Sequence, residues 1–369
     1  MHKYLVIIGA VLLCNIFAQE APLGSMATPN RSERKALECL KGTITGKIIW
    51  STSRANSKHD IWIMNADGTD QKPLTNSPNN VDWFSRFSPD ASEVLFVRSK
   101  SGWAPEIDAE TFEKWDLWTV ATDGSNEKKA AADAVWGTWR PNGDSIVFAR
   151  GNKVFIKDLV SGNEKELFDA EKCFKKGALA QQPEMSPDGR FLAMTLRGTM
   201  RETGIWNFEK KAWNSTGGGC EMDWFPSGNK VFRMNEGQGN GGTEVLQIDL
   251  DEDGKPVVRI SGLSIPKKLR FMDLPGRRSH EYFPKFDKGG LWMVWCATQY
   301  GHEHDIADYE VYLWKIGADK KSAARLTFHT ANDRWPDIFI GTPQSPRQQK
   351  METPGQPSGD TTTSAPVKQ

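Results

Sequence analysis

The sequence predicts an all-β fold: a six-bladed β-propeller of four-stranded antiparallel blades, closed by pairing of the C-terminal strand with the first blade. Three observations predict it. One β-rich strand ending near Asp-Gly recurs along the chain, a second strand recurs behind a Pro-Asp-Gly type of turn, and the first and last repeats are incomplete in complementary ways.

The first strand is clearest at Asp60-Ile-Trp-Ile-Met-Asn-Ala-Asp-Gly68 and Asp116-Leu-Trp-Thr-Val-Ala-Thr-Asp-Gly124. Lys153–Asp158 with Ser161-Gly162 follows the pattern, and Gly204–Glu209, Glu244–Asp249 and Glu310–Lys315 are weaker copies. Each is a short run rich in β-branched and aromatic residues leading into a tight turn, which is half a hairpin.

Ahead of each copy lies a second strand: Lys47–Ser51, Val94–Val97, Ile146–Ala149, Phe191–Met194, Lys230–Arg233 and Leu291–Trp295. Five of these six follow a turn. Ser88-Pro-Asp-Ala91, Arg140-Pro-Asn-Gly143 and Ser186-Pro-Asp-Gly189 are intact, while Phe225-Pro-Ser-Gly228 and Asp287-Lys-Gly-Gly290 are eroded. Proline fixes φ at the first turn position, and Asp or Asn followed by Gly takes the positions that sterics deny to other residues. The turns recur every 40 to 60 residues or so, the span of a four-stranded blade with variable loops.

With strands named a to d from the axis outward, the first unit has b, c and d but no a. Asp333–Ile340 is an a strand with nothing after it. Pairing the two closes the ring and removes two open sheet edges. The Ser-Pro-Asp-Gly turns and the Ile-Trp-x-Met-Asn-x-Asp-Gly-Thr strand resemble the repeat of the TolB-like propellers over residues 44–341. That family's namesake carries an α/β domain before its propeller, whereas about 25 residues separate the expected cleavage point from the first strand here.

Outside residues 44–341 lie an apolar-cored N-terminal leader and two polar segments. Residues 1–18 read as a signal peptide: His2 and Lys3 precede the apolar run Tyr4–Leu13, with Ala18 before the cut. A periplasmic or secreted protein with no transmembrane segment after signal removal is expected. Residues 19–43 form a polar N-terminal segment with a short helix near Ser32–Lys41, and residues 342–369, rich in Pro, Thr, Ser and Gln, form a disordered tail. Export permits disulfides among Cys39, Cys173, Cys220 and Cys296, with buried free thiols as the alternative.

Lys+Arg and Asp+Glu both total 47, with no basic run, which argues against nucleic-acid binding. Gly237–Gly242 fits G-x-G-x-x-G but lies between hairpin strands, where no helix follows to bind a dinucleotide. No G-x-S-x-G elbow or P-loop is present. Trp103 and Trp115, by a long loop, either stack on a sugar or peptide or pack over the rim.

The b–c and d–a connections share one face and include all the long loops, where binding residues usually sit on a rigid scaffold. Five histidines follow the signal, and by these assignments all fall on that face in the first and last units: His59, His280, His302, His304 and His329. Glu281, Asp305, Asp308 and Asp333 accompany them. Imidazole and carboxylate suit a charged ligand or a divalent metal, with His280, His302, His304 and His329 the candidate metal ligands, although polar loops of this kind also serve solubility alone.

Two functions follow. The first is a monomeric, non-catalytic binding module of the bacterial envelope, needing no cofactor and holding an envelope protein, a peptide or a glycan. The alternative is a metal-dependent lyase or hydrolase on uronate-containing oligosaccharide. Ser279-His-Glu-Tyr-Phe-Pro284 resembles a segment of certain propeller lyases, and that resemblance implies a metal at the channel mouth.

Overall fold

The computed structural model describes residues 26–54, 58–100, 102, 104–105, 109–236, 243–258, 267–299 and 303–343. The signal peptide, the Gly237–Gly242 run, Trp103, His302 and the tail from 344 onward lie outside the described residues.

Helix α1 (Arg31–Leu40) comes first. Asn30 caps it by accepting from the Ser32 and Glu33 N–H groups, and Glu33 returns the bond to the Asn30 N–H at 2.7 Å, a complete capping box. The strands then run β1 (Gly46–Thr52), β2 (Asp60–Asn65), β3 (Lys72–Pro73), β4 (Asp82–Phe87), β5 (Glu93–Ser99), β6 (Trp115–Ala121) and β7 (Lys128–Ala131). Next are β8 (Val135–Trp139), β9 (Ser145–Arg150), β10 (Lys153–Asp158), β11 (Glu164–Asp169), the one-turn α2 (Ala170–Cys173), β12 (Ala178–Met185), β13 (Phe191–Gly198), β14 (Glu202–Asn207) and β15 (Ala212–Gly217). The remainder are β16 (Cys220–Trp224), β17 (Lys230–Glu236), β18 (Thr243–Asp249), β19 (Arg270–Met272), β20 (His280–Phe286), β21 (Trp292–Thr298), β22 (Glu310–Lys315), β23 (Ala324–Arg325) and β24 (Asp333–Ile340).

They form antiparallel sheets arranged as a propeller ring. Four sheets have four strands each: β24-β1-β2-β3, β4 to β7, β8 to β11, and β12 to β15. The fifth joins β16-β17-β18, with β19 beside β18, to β20-β21-β22-β23 through a single parallel bridge between Thr243 and His280.

The closure is as the incomplete end repeats require. β24 pairs antiparallel with β1, setting Thr52 against Asp333, Ile48 against Ile338 and Gly46 against Ile340. Gly46 is there because nothing larger fits: a Cβ would stand 2.3 Å from the Phe339 carbonyl oxygen. Gly46→Ala must therefore push the seam apart, and a loss of about 1–3 kcal/mol is expected in denaturant unfolding.

The innermost strands share a device that their sequences do not display. Each has one non-glycine residue at positive φ: Phe84, Trp136, Gln182, Glu221, Phe283 and Trp335, all between 51° and 58°. Each sits where the register with the next strand shifts, so one extra residue bends the strand toward the axis. Pro183, Pro284 and Pro336 directly follow three of them. A bulge is the place where a strand tolerates a residue with no N–H to give.

Aromatic residues fill the axis on one side. Trp335 lies 3.9 Å from Phe283, 4.9 Å from Phe84 and 5.6 Å from Trp136, centroid to centroid, and Trp83 meets Trp136 edge-on at 4.8 Å. Trp115 is fully buried 5.4 Å from Trp83, so of the two open readings for this residue it packs rather than stacks on a ligand. The four described cysteines are free: Cys296 is buried, Cys220 is half-buried, and Cys39 and Cys173 are exposed.

Candidate functional site

The closure seam gathers most of the residues that the sequence singles out. β24 enters it through Asn332, whose side-chain amide donates to the carbonyls of His304 at 2.9 Å and Ala307 at 2.8 Å. Its Oδ1 lies 3.0 Å from His59 Nε2. An amide oxygen only accepts, so His59 carries its proton on Nε2. Asp333 is fully buried and accepts from Trp50 Nε1 at 3.1 Å and Arg54 Nη2 at 2.8 Å. Arg334 donates to the His304 carbonyl and pairs with Asp305, both at 2.9 Å.

The rings have settled into this packing. His304 stands edge-on to Tyr282 at 4.9 Å and to Phe283 at 5.0 Å. His329 is buried, accepts the Ala331 N–H on Nδ1 and gives its own backbone N–H to Glu310. Asp308 is tied to Arg278 at 2.7 Å. His280 and Glu281 stand apart, at the start of β20 beside Thr243; the Glu281 carboxylate is buried and accepts the Leu274 N–H. Among the described residues no three His, Cys, Asp or Glu side chains come together in a way that could hold a metal.

Burial sets the protonation of this region. It pulls His59 well below the usual imidazole range, helped by Arg334, and pulls His329 down, helped by Arg54, so both are neutral at pH 7. Burial, with Asp333 nearby, pushes Glu310 up to about 8, and burial raises Glu281 well above its ordinary value. The lowered histidines add stability that is complete above about pH 6.5 and lost on acidification. The raised carboxyls act oppositely: the folded state holds protons that the unfolded chain releases above about pH 4.5, so stability falls as pH rises. Between about pH 6.5 and 8 only the second effect operates. Chemical denaturation is expected to show falling stability across that window, with a shallower slope in Glu310→Gln.

A second polar cluster lies on the axis, and it was not among the sequence candidates. Two residues beyond each positive-φ residue stand Arg86, Thr138, Glu184, Asp223, Lys285 and Asp337. Lys285 Nζ donates to Glu184 at 2.6 Å and also to Asp223, while Arg86 Nε lies 3.6 Å from Glu184. Asp337 accepts from the N–H groups of Phe87 and Ile338, each at 2.8 Å. Burial and the neighbouring Asp223 raise Glu184 to about 7 against the pull of Lys285 and Arg86. The void among these groups is only about 10 Å³, the space of roughly one water. The signal existed: Arg86, Thr138, Glu184, Asp223 and Lys285 each sit two places before a repeated turn, visible once the repeats are superimposed.

No family model and no curated protein sequence matches the chain. Solved structures do resemble it. TolB from Acinetobacter baumannii aligns over 80% of this chain and 67% of its own, at 14% identity and a TM-score of 0.57. A putative TolB from Agrobacterium tumefaciens aligns over 79% and 99%, at 14% identity and a TM-score of 0.50. A chain of a nidogen/laminin complex aligns over 81% and 99%, at 9% identity and a TM-score of 0.50. The shared property is the fold: the chain is structurally similar to TolB β-propeller domains.

Proposed function

We propose that the chain is a six-bladed, exported, non-catalytic binding module of the bacterial cell envelope, holding a segment of a partner protein on the face that carries the closure loops. The six blades follow from reading the fifth sheet as two blades touching through one bridge. The observation that carries the reading is the filled axis. Aromatic rings and a tightly packed ion cluster occupy it, which leaves the faces for binding. Met26, bridged to His329, and Ile306, in the loop between β21 and β22, expose 71% and 78% of their surface, two apolar side chains on the loops near the seam. A similar fold occurs in a chain of a nidogen/laminin complex, a protein–protein assembly, which is in keeping with this reading. The basic start and apolar run of residues 1–18 support a periplasmic or secreted location.

The test is capture of envelope proteins on the immobilised full chain, compared with Met26→Glu/Ile306→Glu. A protein retained by the wild type and lost from the variant supports the proposal. Identical captures, or retention of glycan alone, count against it.

A further inference from the structure

Beside the seam, between the first sheet and the segment following β23, lies an open cleft of about 550 Å³. That is the size of a small-ligand site. Met26, Arg54, Trp62, Gln71, Phe328 and His329 line it. The N-terminal segment forms part of its edge: the Ala27 N–H donates to the Phe328 carbonyl at 2.8 Å, and Met26 bridges to His329.

The wall of the cleft holds N–H groups that have no acceptor. Arg54 lies 5.4 Å from the ring centroids of both Trp50 and Trp62, and its side chain is 8% exposed. Its Nη1 donates to Gln71 at 2.7 Å and its Nη2 to Asp333 at 2.8 Å, but Nε is buried without a partner. Trp62 Nε1 is also buried without a partner. His329 accepts the Ala331 N–H on Nδ1, which places its own ring proton on Nε2 as a third donor. A buried donor left unpaired is costly. Such atoms recur elsewhere among the described residues, at Trp83, Trp136, Arg140 and Arg233 among others, but here two of them stand with a third donor on one open cleft.

We infer that this cleft binds a carboxylate carried on an apolar or aromatic group. A carboxylate only accepts hydrogen bonds and takes several at once, whereas an amide or alcohol brings donors that this wall does not need. The Trp62 indole, Phe328 and Met26 supply the apolar surroundings. Among the described residues lining the cleft, Arg54 is the only charged one. Asp333 opposes an incoming anion, but it lies fully buried with its oxygens already bonded to Trp50 and Arg54. Reaching the two buried donors requires side-chain movement of the kind that binding surfaces commonly undergo. The carboxylate belongs either to a free acid or to the C-terminus of a polypeptide.

The test uses the full chain and calorimetric titration with 3-phenylpropanoate, with N-acetyl-alanyl-phenylalanine, and with the amides of both. Each binding acid is expected to bind about tenfold or more tightly than its amide, the scale of one hydrogen bond to a charged group. Trp62→Phe keeps a six-membered aromatic ring and removes the indole N–H together with its pyrrole ring. His329→Asn keeps an acceptor for Ala331 and removes the Nε2 donor. Both are expected to weaken acid binding several-fold while the melting temperature holds. Binding of the dipeptide acid alone identifies a chain terminus as the source, and binding of phenylpropanoate alone identifies a free acid. Equal affinity for acids and amides, no acid binding at millimolar concentration, or unchanged affinity in Trp62→Phe overturns the inference. It rests on the reading of the chain as a binding module, yet fails separately. Protein capture without acid binding sinks only the cleft, and acid binding without protein capture sinks only the protein-partner reading.

Discussion

A chain that ends before Asp333 is expected to show no cooperative unfolding transition and to aggregate, while one ending at Pro343 keeps the transition. The reason lies in what β24 contributes. Its backbone pairs along β1 from Thr52 to Gly46, so its loss leaves the innermost edge of the first sheet open. Its side chains are equally committed. Asp333, Arg334 and Trp335 are buried, and Trp335 packs against three of the other axial aromatics. Removal of a buried Trp alone costs about 3–5 kcal/mol, and a whole domain is stable by only about 5–15. Arg54 and Trp50 would also lose the carboxylate that both donate to. Circular dichroism during heating and light scattering read the two outcomes.

The second large effect is expected at Lys285. Lys285→Met removes the cation that Glu184 and Asp223 share, and among the described residues the only other cation paired with Glu184 is Arg86, at 3.6 Å. Breaking one side of a buried ion cluster costs about 3–5 kcal/mol, because the charges left behind are neither solvated nor paired. The loss is expected to be larger at pH 8 than at pH 6. In the wild type Glu184 titrates near pH 7, and without Lys285 its carboxyl is driven further toward the neutral form. The triple variant Lys285→Met/Glu184→Gln/Asp223→Asn should recover part of that stability, since it leaves no stranded charge. Urea unfolding at both pH values checks this. Equal losses at the two pH values would show that the cluster does not govern protonation on the axis.

The propeller was legible in the sequence because its strands and turns repeat the same chemistry. Trp62 and Trp118 hold matching places in β2 and β6, and Pro89, Pro141 and Pro187 each open a turn. The inner bend was not legible. Its positive-φ position is filled by Phe, Trp, Gln, Glu, Phe and Trp, none of them a residue that advertises that backbone, so geometry imposed by the ring overrides local preference. The axial charges were missed for a related reason. Arg86, Glu184, Asp223 and Lys285 lie far apart in sequence, and opposite charges gain meaning only when the ring brings them within reach.

The histidine cluster was legible as a gathering but not as chemistry. Topology places His59, His304 and His329 at the seam, while hydropathy cannot reveal that their partners are Asn332, two aromatic rings and a backbone N–H. Asn332 and Arg54 carry much of the seam's bonding, and single polar residues beside strands give no pattern to find. The cysteines stayed ambiguous in sequence for want of distances, and Cys296 lies buried at the centre of β21 as a thiol whose ionisation burial suppresses.

The claim on which all of this depends is that β1 and β24 share one sheet in the stated register, Lys47 opposite Phe339. A Lys47→Cys/Phe339→Cys variant, oxidised mildly and mapped by mass spectrometry, tests it directly. A cross-link between these positions in soluble, folded protein, absent from the off-register pair Lys47→Cys/Asp337→Cys, is the result the account predicts. A folded variant with the same thermal transition but no such link, or with equal linkage in both pairs, would contradict it.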